Sequence, residues 1–283
     1  MPVIDHFTFG IVTPLLAYAI SCTGAATGLA CTSRARAASG GTRAAWLVFG
    51  AIALGGTGIW VMHFVAILGF SASGVTIRYN IPETLLSAAI AIVVVGAGLF
   101  ITELGKRKLA AMLVGGALAG AGVAAMHYMG MEAMEMSADV VYNPTYVIAS
   151  VAIAIVAATA ALWCTVHIRG TLATIVATLI MGLAVTGMHY TGMAGVSVVN
   201  PVDSVPAGAS TMQLLVPLVM AVSVVTFLLI LGIGLWPTED ELRTQAEFEN
   251  RLKAHSEQSQ RFVNVQQELQ PGPAQFAQSH RAR

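Results

Sequence analysis

The stretch Gly182-Leu183-Ala184-Val185-Thr186-Gly187-Met188-His189-Tyr190-Thr191-Gly192-Met193 decides how this chain is read, because it occurs three times. Upstream copies are Gly120-Ala121-Gly122-Val123-Ala124-Ala125-Met126-His127-Tyr128-Met129-Gly130-Met131 and Gly56-Thr57-Gly58-Ile59-Trp60-Val61-Met62-His63-Phe64-Val65-Ala66-Ile67. The copies align without gaps at Met-His, and the histidines lie 64 and 62 residues apart. Small residues keep a fixed phase: Gly58, Gly122 and Ala184 before each Met, and Ala66, Gly130 and Gly192 after it. Each copy ends an apolar run. An ionisable side chain inside such a run is costly and marks function by default.

Working outward, the segments before the second and third copies also match. Ala89-Ile90-Ala91-Ile92-Val93 returns as Ala152-Ile153-Ala154-Ile155-Val156, and both follow a Tyr-Asn element, Tyr79-Asn80 or Tyr142-Asn143, with Pro82 or Pro144 close behind. The unit is therefore a helical hairpin of about 63 residues, repeated three times. A seventh apolar segment follows. About 20 mostly apolar residues cross a bilayer, and the candidate spans are Phe7–Ala30, Ala45–Phe70, Pro82–Thr102, Leu109–Met131, Thr145–Val166, Thr171–Gly195 and Met212–Trp236. Pro14 and Pro217 are expected to kink the first and last of them.

Composition agrees. The chain of 283 residues is 56% hydrophobic and 10% charged, with a mean hydropathy of +0.76. The fold class is an all-α membrane protein of seven transmembrane helices: three two-helix hairpins plus a final helix. Lys and Arg collect in cytoplasmic connections. With the N-terminus outside, thirteen of the fourteen basic residues lie inside and only Arg78 lies outside. The expectation is N-out and C-in in the plasma (inner) membrane, without a cleaved signal peptide. No basic stripe with interleaved aromatics supports nucleic-acid binding.

Residues 1–236 form the expected membrane domain, and 237–283 a polar cytoplasmic tail, partly disordered, with Leu242, Phe248 and Leu252 on one face of a short helix. A tail of about 46 residues is too short for an enzymatic output domain. Neither a phosphate loop nor a nucleophile elbow nor His-Glu-x-x-His is present, so no enzyme is expected.

The motif helices all run in one direction, which puts His63, His127 and His189 at one depth near the outer surface. Met131 and Met193 share a helix face with His127 and His189, four residues on; Ile67 stands in that place in the first copy. Imidazole with thioether is a soft donor set that suits copper. Met62, Met126 and Met188 point about 100° from their histidines and are weaker candidates. Met129, Met131, Met134 and Met136, with Glu132 and Glu135 among them, form a second outer pool, and His6 is a further weak ligand candidate. Cys22, Cys31 and Cys164 fall in the inner half, away from the site. The small residues form grooves in which helix backbones approach closely.

Met188-His189-Tyr190-Thr191 spells the signature of the MHYT domain, a bacterial integral-membrane sensor module, and the chain resembles that family from Phe7 to Trp236. The resemblance implies copper held by Met and His near the outer face, and a response to a diatomic gas (oxygen, carbon monoxide or nitric oxide). It also implies cytoplasmic diguanylate cyclase or phosphodiesterase domains in many members. The tail departs from that pattern, so an unknown cytoplasmic or membrane output protein is expected as partner, besides the lipid bilayer. The alternatives are a copper carrier or chaperone-like protein, a bis-His haem redox protein, and histidines that only hold helices together.

Overall fold

A computed structural model describes residues 2–202, 204–235 and 247–261. Seven helices are long and apolar enough to cross a membrane: α1 Val12–Ala37, α2 Gly40–Ile67, α3 Ile81–Leu104, α4 Lys108–Glu132, α5 Pro144–His167, α6 Thr171–Ala194 and α7 Thr211–Leu235. The protein is a multi-pass membrane protein. The hairpin starts are set locally. Asn80 and Asn143 accept from the amides of Glu83 and Thr145, and a proline occupies the first turn behind each, where its missing N–H is no loss.

Among the described residues, six short strands, which the hydropathy pattern does not predict, accompany the helices. They are β1 Ile4–Asp5, β2 Ser71–Ala72, β3 Ile77–Tyr79, β4 Met134–Met136, β5 Asp139–Tyr142 and β6 Val196–Val199. They pair antiparallel as β1–β2, β3–β4 and β5–β6. Each hairpin is thus closed by a strand before its first helix and a strand after its motif helix. Their backbone pairing satisfies polar groups that would otherwise be open at that end.

Helices α1 to α6 form a closed ring in chain order, and α1 packs against both α2 and α6. The motif helices α2, α4 and α6 alternate with the others. Glycine makes the close approaches possible. A Cβ on Gly24 would overlap the backbone of Gly58, and one on Gly120 the backbone of Ile155. Helix α7 leans outside the ring on α1 and α2, where Thr57 Oγ1 and Thr226 Oγ1 lie 3.2 Å apart. The end opposite the strands carries the basic connections. There Arg43 bridges the buried Glu103 at 3.1 Å, and Arg34 Nη2 donates to the carbonyl of Ile233 at 2.7 Å.

Three expectations change. Helix α1 begins at Val12 rather than Phe7, because residues before it form a strap: Thr8 donates its amide to the Gly69 carbonyl at 2.9 Å. Pro14 consequently falls in the first turn of α1, where it need not kink the helix. The gapless alignment also fails within α2. Residues Ile52–Val61 are wound as π-helix, so Gly55 and not Gly56 makes the close approach. A Cβ on Gly55 would meet Ala91 O and Ile92 Cα, as one on Gly120 would meet Ala154 O and Ile155 Cα.

The second unit, Trp236–Arg283, contains a helix over residues 247–261 with Phe248 and Leu252 exposed. Leu242, and most of the tail expected to be partly disordered, lie outside the described residues.

Candidate metal centre

The three motif histidines meet. His63 Nδ1 lies 3.0 Å from His189 Nδ1 and 3.1 Å from His127 Nδ1. The ring centroids form a nearly equilateral triangle of 4.9, 5.0 and 5.1 Å, with planes 77°, 82° and 90° apart. Each residue is 1% exposed, so the cluster is closed to bulk water. The threefold sequence has become a threefold propeller of imidazoles.

Two of the three rings are seated by the next repeat. A Cβ on Gly130 would overlap Nε2 of His63, and a Cβ on Gly192 would overlap Nε2 of His127. These glycines lie three residues past the next copy's histidine. Their place in the repeat is visible in the sequence, where their phase predicts a backbone groove. They make room for a side chain instead.

The hydrogen-bond accounting points to a cation. A neutral imidazole has one N–H and one lone pair. Here the Nδ1 atoms crowd together while the Nε2 atoms of all three rings have no protein partner. One N–H can be shared within the cluster, but no assignment of protons serves three rings at once. Three lone pairs turned inward are served together by one positive ion. Three nitrogens each about 2.0 Å from a common ion would stand roughly 3.5 Å apart in a plane, so the observed 3.0 and 3.1 Å require only a small outward movement. The donor set fits a metal. Among the described residues, no carboxylate or thiol joins this cluster.

The other candidates divide. Met62, Met126, Met131, Met188 and Met193 are all buried. Met131 also lines an open pocket with Tyr128, Glu132, Met134 and Tyr142. Burial pushes the Tyr142 phenol up to about 12, and Glu132 and Tyr128 add to it. Tyr128 is fixed by Ser150, hydroxyl to hydroxyl at 2.6 Å, whereas the Tyr190 hydroxyl has no protein partner. His6 stays in the strap, its ring 5.6 Å from Phe70; partial burial lowers its pKa against the pull of Asp5. The strap reaches the third repeat through Phe7, 5.7 Å from the Tyr190 ring. Cys22 packs beneath Gly182, a whole seven residues below His189, and Cys31 and Cys164 are likewise free thiols outside the cluster.

A membrane ring built from three Met-His repeats, with its histidines gathered at one end, defines the class. The sequence matches the MHYT family, described as "Bacterial signalling protein N terminal repeat", over residues 56–116, 120–178 and 182–245. The chain belongs to this family, the membrane-embedded sensor domain of signalling proteins. It is 39% identical over 173 residues to the bifunctional diguanylate cyclase/cyclic di-GMP phosphodiesterase MucR of Pseudomonas aeruginosa, covering 59% of this chain and 25% of that protein. It is 35% identical over 212 residues to the cyclic di-GMP phosphodiesterase NbdA of the same organism, covering 73% and 26%. An uncharacterized signalling protein of Caulobacter vibrioides is 34% identical over 244 residues, covering 84% and 29%. The chain thus spans about a quarter of the length of these relatives. No solved structure matches.

Proposed function

We propose that this protein is a copper-dependent sensor whose metal is held by His63, His127 and His189. The observation that carries the reading is the approach of His189 Nδ1 and His127 Nδ1 to His63 Nδ1, at 3.0 and 3.1 Å, inside an apolar ring. Charge selects the oxidation state. With neutral imidazoles and no carboxylate in the cluster, the site takes on the full charge of the ion. The desolvation penalty grows as the square of that charge, about fourfold from a monovalent to a divalent ion. Copper(I) is the soft, monovalent choice that imidazole and thioether accept. Met131 and Met193 are proposed as thioether donors at the edge of the triad, and Met62, Met126 and Met188 as weaker ones.

Bound copper(I) would supply a position for a diatomic gas (oxygen, carbon monoxide or nitric oxide) and an electron for a redox response. The chain's own residues hold the imidazoles in register, exclude water and close the outer mouth with the strap. Orientation is proposed N-out and C-in in the plasma (inner) membrane, because the basic connections lie at the end opposite the triad. Residues 1–236 then act as the sensor, and 237–283 face a cytoplasmic or membrane output partner. The protein itself is proposed to have no enzymatic activity. The close packing of the three rings leaves no slot for a porphyrin between them. A carrier role gains nothing from a site that is closed to water.

Purified protein in detergent, loaded with copper(I) under reducing conditions, is expected to hold one copper per chain. His63→Ala, His127→Ala and His189→Ala are each expected to lose it. Copper content unchanged in the double variant of His127 and His189 would sink the assignment.

A further inference from the structure

A ring of six helices leaves a space on its axis unless large side chains fill it. Here several of the side chains facing the axis are small, the alanines above all. A cavity of about 60 Å³ is lined by residues from all six ring helices, among them Ala25, Ala119 and Ala158. Its upper wall repeats the threefold pattern. Ile59, Val123 and Val185 line it, and each stands four residues, one helical turn, before a motif histidine. The cavity therefore lies directly under the imidazole propeller, on the face away from the strap.

Its chemistry is restrictive. The only polar residues in the lining are Ser21 and Thr165, and the Thr165 hydroxyl is already committed to the Leu162 carbonyl at 2.7 Å. A water needs two to four polar partners, and apolar cavities that lack them stay dry and take up small apolar molecules or xenon. No charged group lines the space, so an ion is excluded.

We propose that this axial cavity is a second binding site, for one small, uncharged, apolar molecule no larger than a diatomic gas or a xenon atom. It stands one turn below the triad and stores such a molecule there. Occupancy is independent of the metal. Only the consequence, delivery of the molecule to the triad, rests on the sensor reading.

Xenon is the probe. An NMR xenon-shift titration of the full chain in detergent, with and without copper, is expected to show saturable binding above the micelle background in both. Ala119→Leu and Ala158→Leu, from two different helices, are each expected to abolish the saturable component while copper per chain stays unchanged. Val185→Ala enlarges the space and is expected to tighten xenon binding several-fold. It serves as the second variant if a leucine variant fails to give a monodisperse protein. Xenon that only partitions linearly, or saturable binding that survives both leucines, overturns the cavity site. Loss of copper from the histidine variants is read separately, so failure of either proposal leaves the other standing.

Discussion

The first and third motif helices, α2 and α6, carry nearly the same word and deliver a histidine to the same triangle, yet they are wound differently. Helix α6 is regular from Thr171 to Ala194. Helix α2 is π-wound from Ile52 to Val61, just before Met62-His63. From the packing glycine to the histidine is seven residues in the third copy, Gly182 to His189, and eight in the first, Gly55 to His63. The π turns absorb the extra residue and return His63 to register. Gly55, Gly56, Thr57 and Gly58 all have low α-helix propensity and little side chain to crowd the wider turn. A fixed point in the triad has thus been kept while the helix below it changed its winding. π-Bulges concentrate at functional sites, and this one also carries Thr57, the contact with α7.

Deletion separates the two helices most sharply. Removing Gly56 should convert α2 to the α6 spacing, keep His63 in the triangle and retain copper within about twofold. Removing Leu183 from α6 has no extra residue to absorb, so it turns His189 by about 100° away from its partners and should empty the site. Copper per chain after reconstitution reads both. If deletion at Gly56 also empties the site, the π segment is required for the triad and is not merely tolerated.

A smaller effect is expected at the seats. Gly130→Ala and Gly192→Ala force a methyl against an imidazole, an overpacking that costs about 1–3 kcal/mol and should weaken copper binding. The first copy already has Ala66 at that place, so Ala66→Gly should be nearly silent for copper. Thermal unfolding of the copper-free protein and a copper(I) competition titration separate the stability effect from the affinity effect. Equal losses at all three positions would show that the seats are ordinary helix packing.

Much of this was legible in the chain. Three histidines at one phase of one repeat must fall at one depth, and Gly120, seven before His127, shares its helix face. That was enough to expect a shared site. The ligand atom was not legible: Nδ1 faces the axis because Gly130 and Gly192 receive Nε2, a contact between repeats. Nor was the winding of α2, since Gly56 aligns in sequence where Gly55 packs in space. The strap was missed because Phe7 and Phe9 are apolar and read as helix, although hydropathy does not distinguish a span from a segment whose amides are bound elsewhere. The short strands at Ile77–Tyr79 and Asp139–Tyr142 carry too few residues for a periodic pattern.

The finest difference between the copies lies one residue past each histidine. Tyr128 in the second copy meets Ser150 at 2.6 Å. Ser87 corresponds to Ser150 by the 63-residue repeat, but the first copy has Phe64 and no hydroxyl to offer it. Trp60 takes that role, donating Nε1–H to Ser87 Oγ at 2.9 Å, with its ring 5.2 Å from Phe64. The bond to the neighbouring helix is kept and its donor has moved four residues. Tyr190 in the third copy has no such protein partner. Tyr128→Phe should therefore cost about 1 kcal/mol, Trp60→Phe at least as much because packing is lost as well, and Tyr190→Phe close to nothing. Denaturation midpoints in one detergent order the three. Should Tyr190→Phe prove as costly as Tyr128→Phe while copper is absent, its hydroxyl has a partner beyond the protein atoms; should it do so only when copper is bound, Tyr190 belongs to the metal centre.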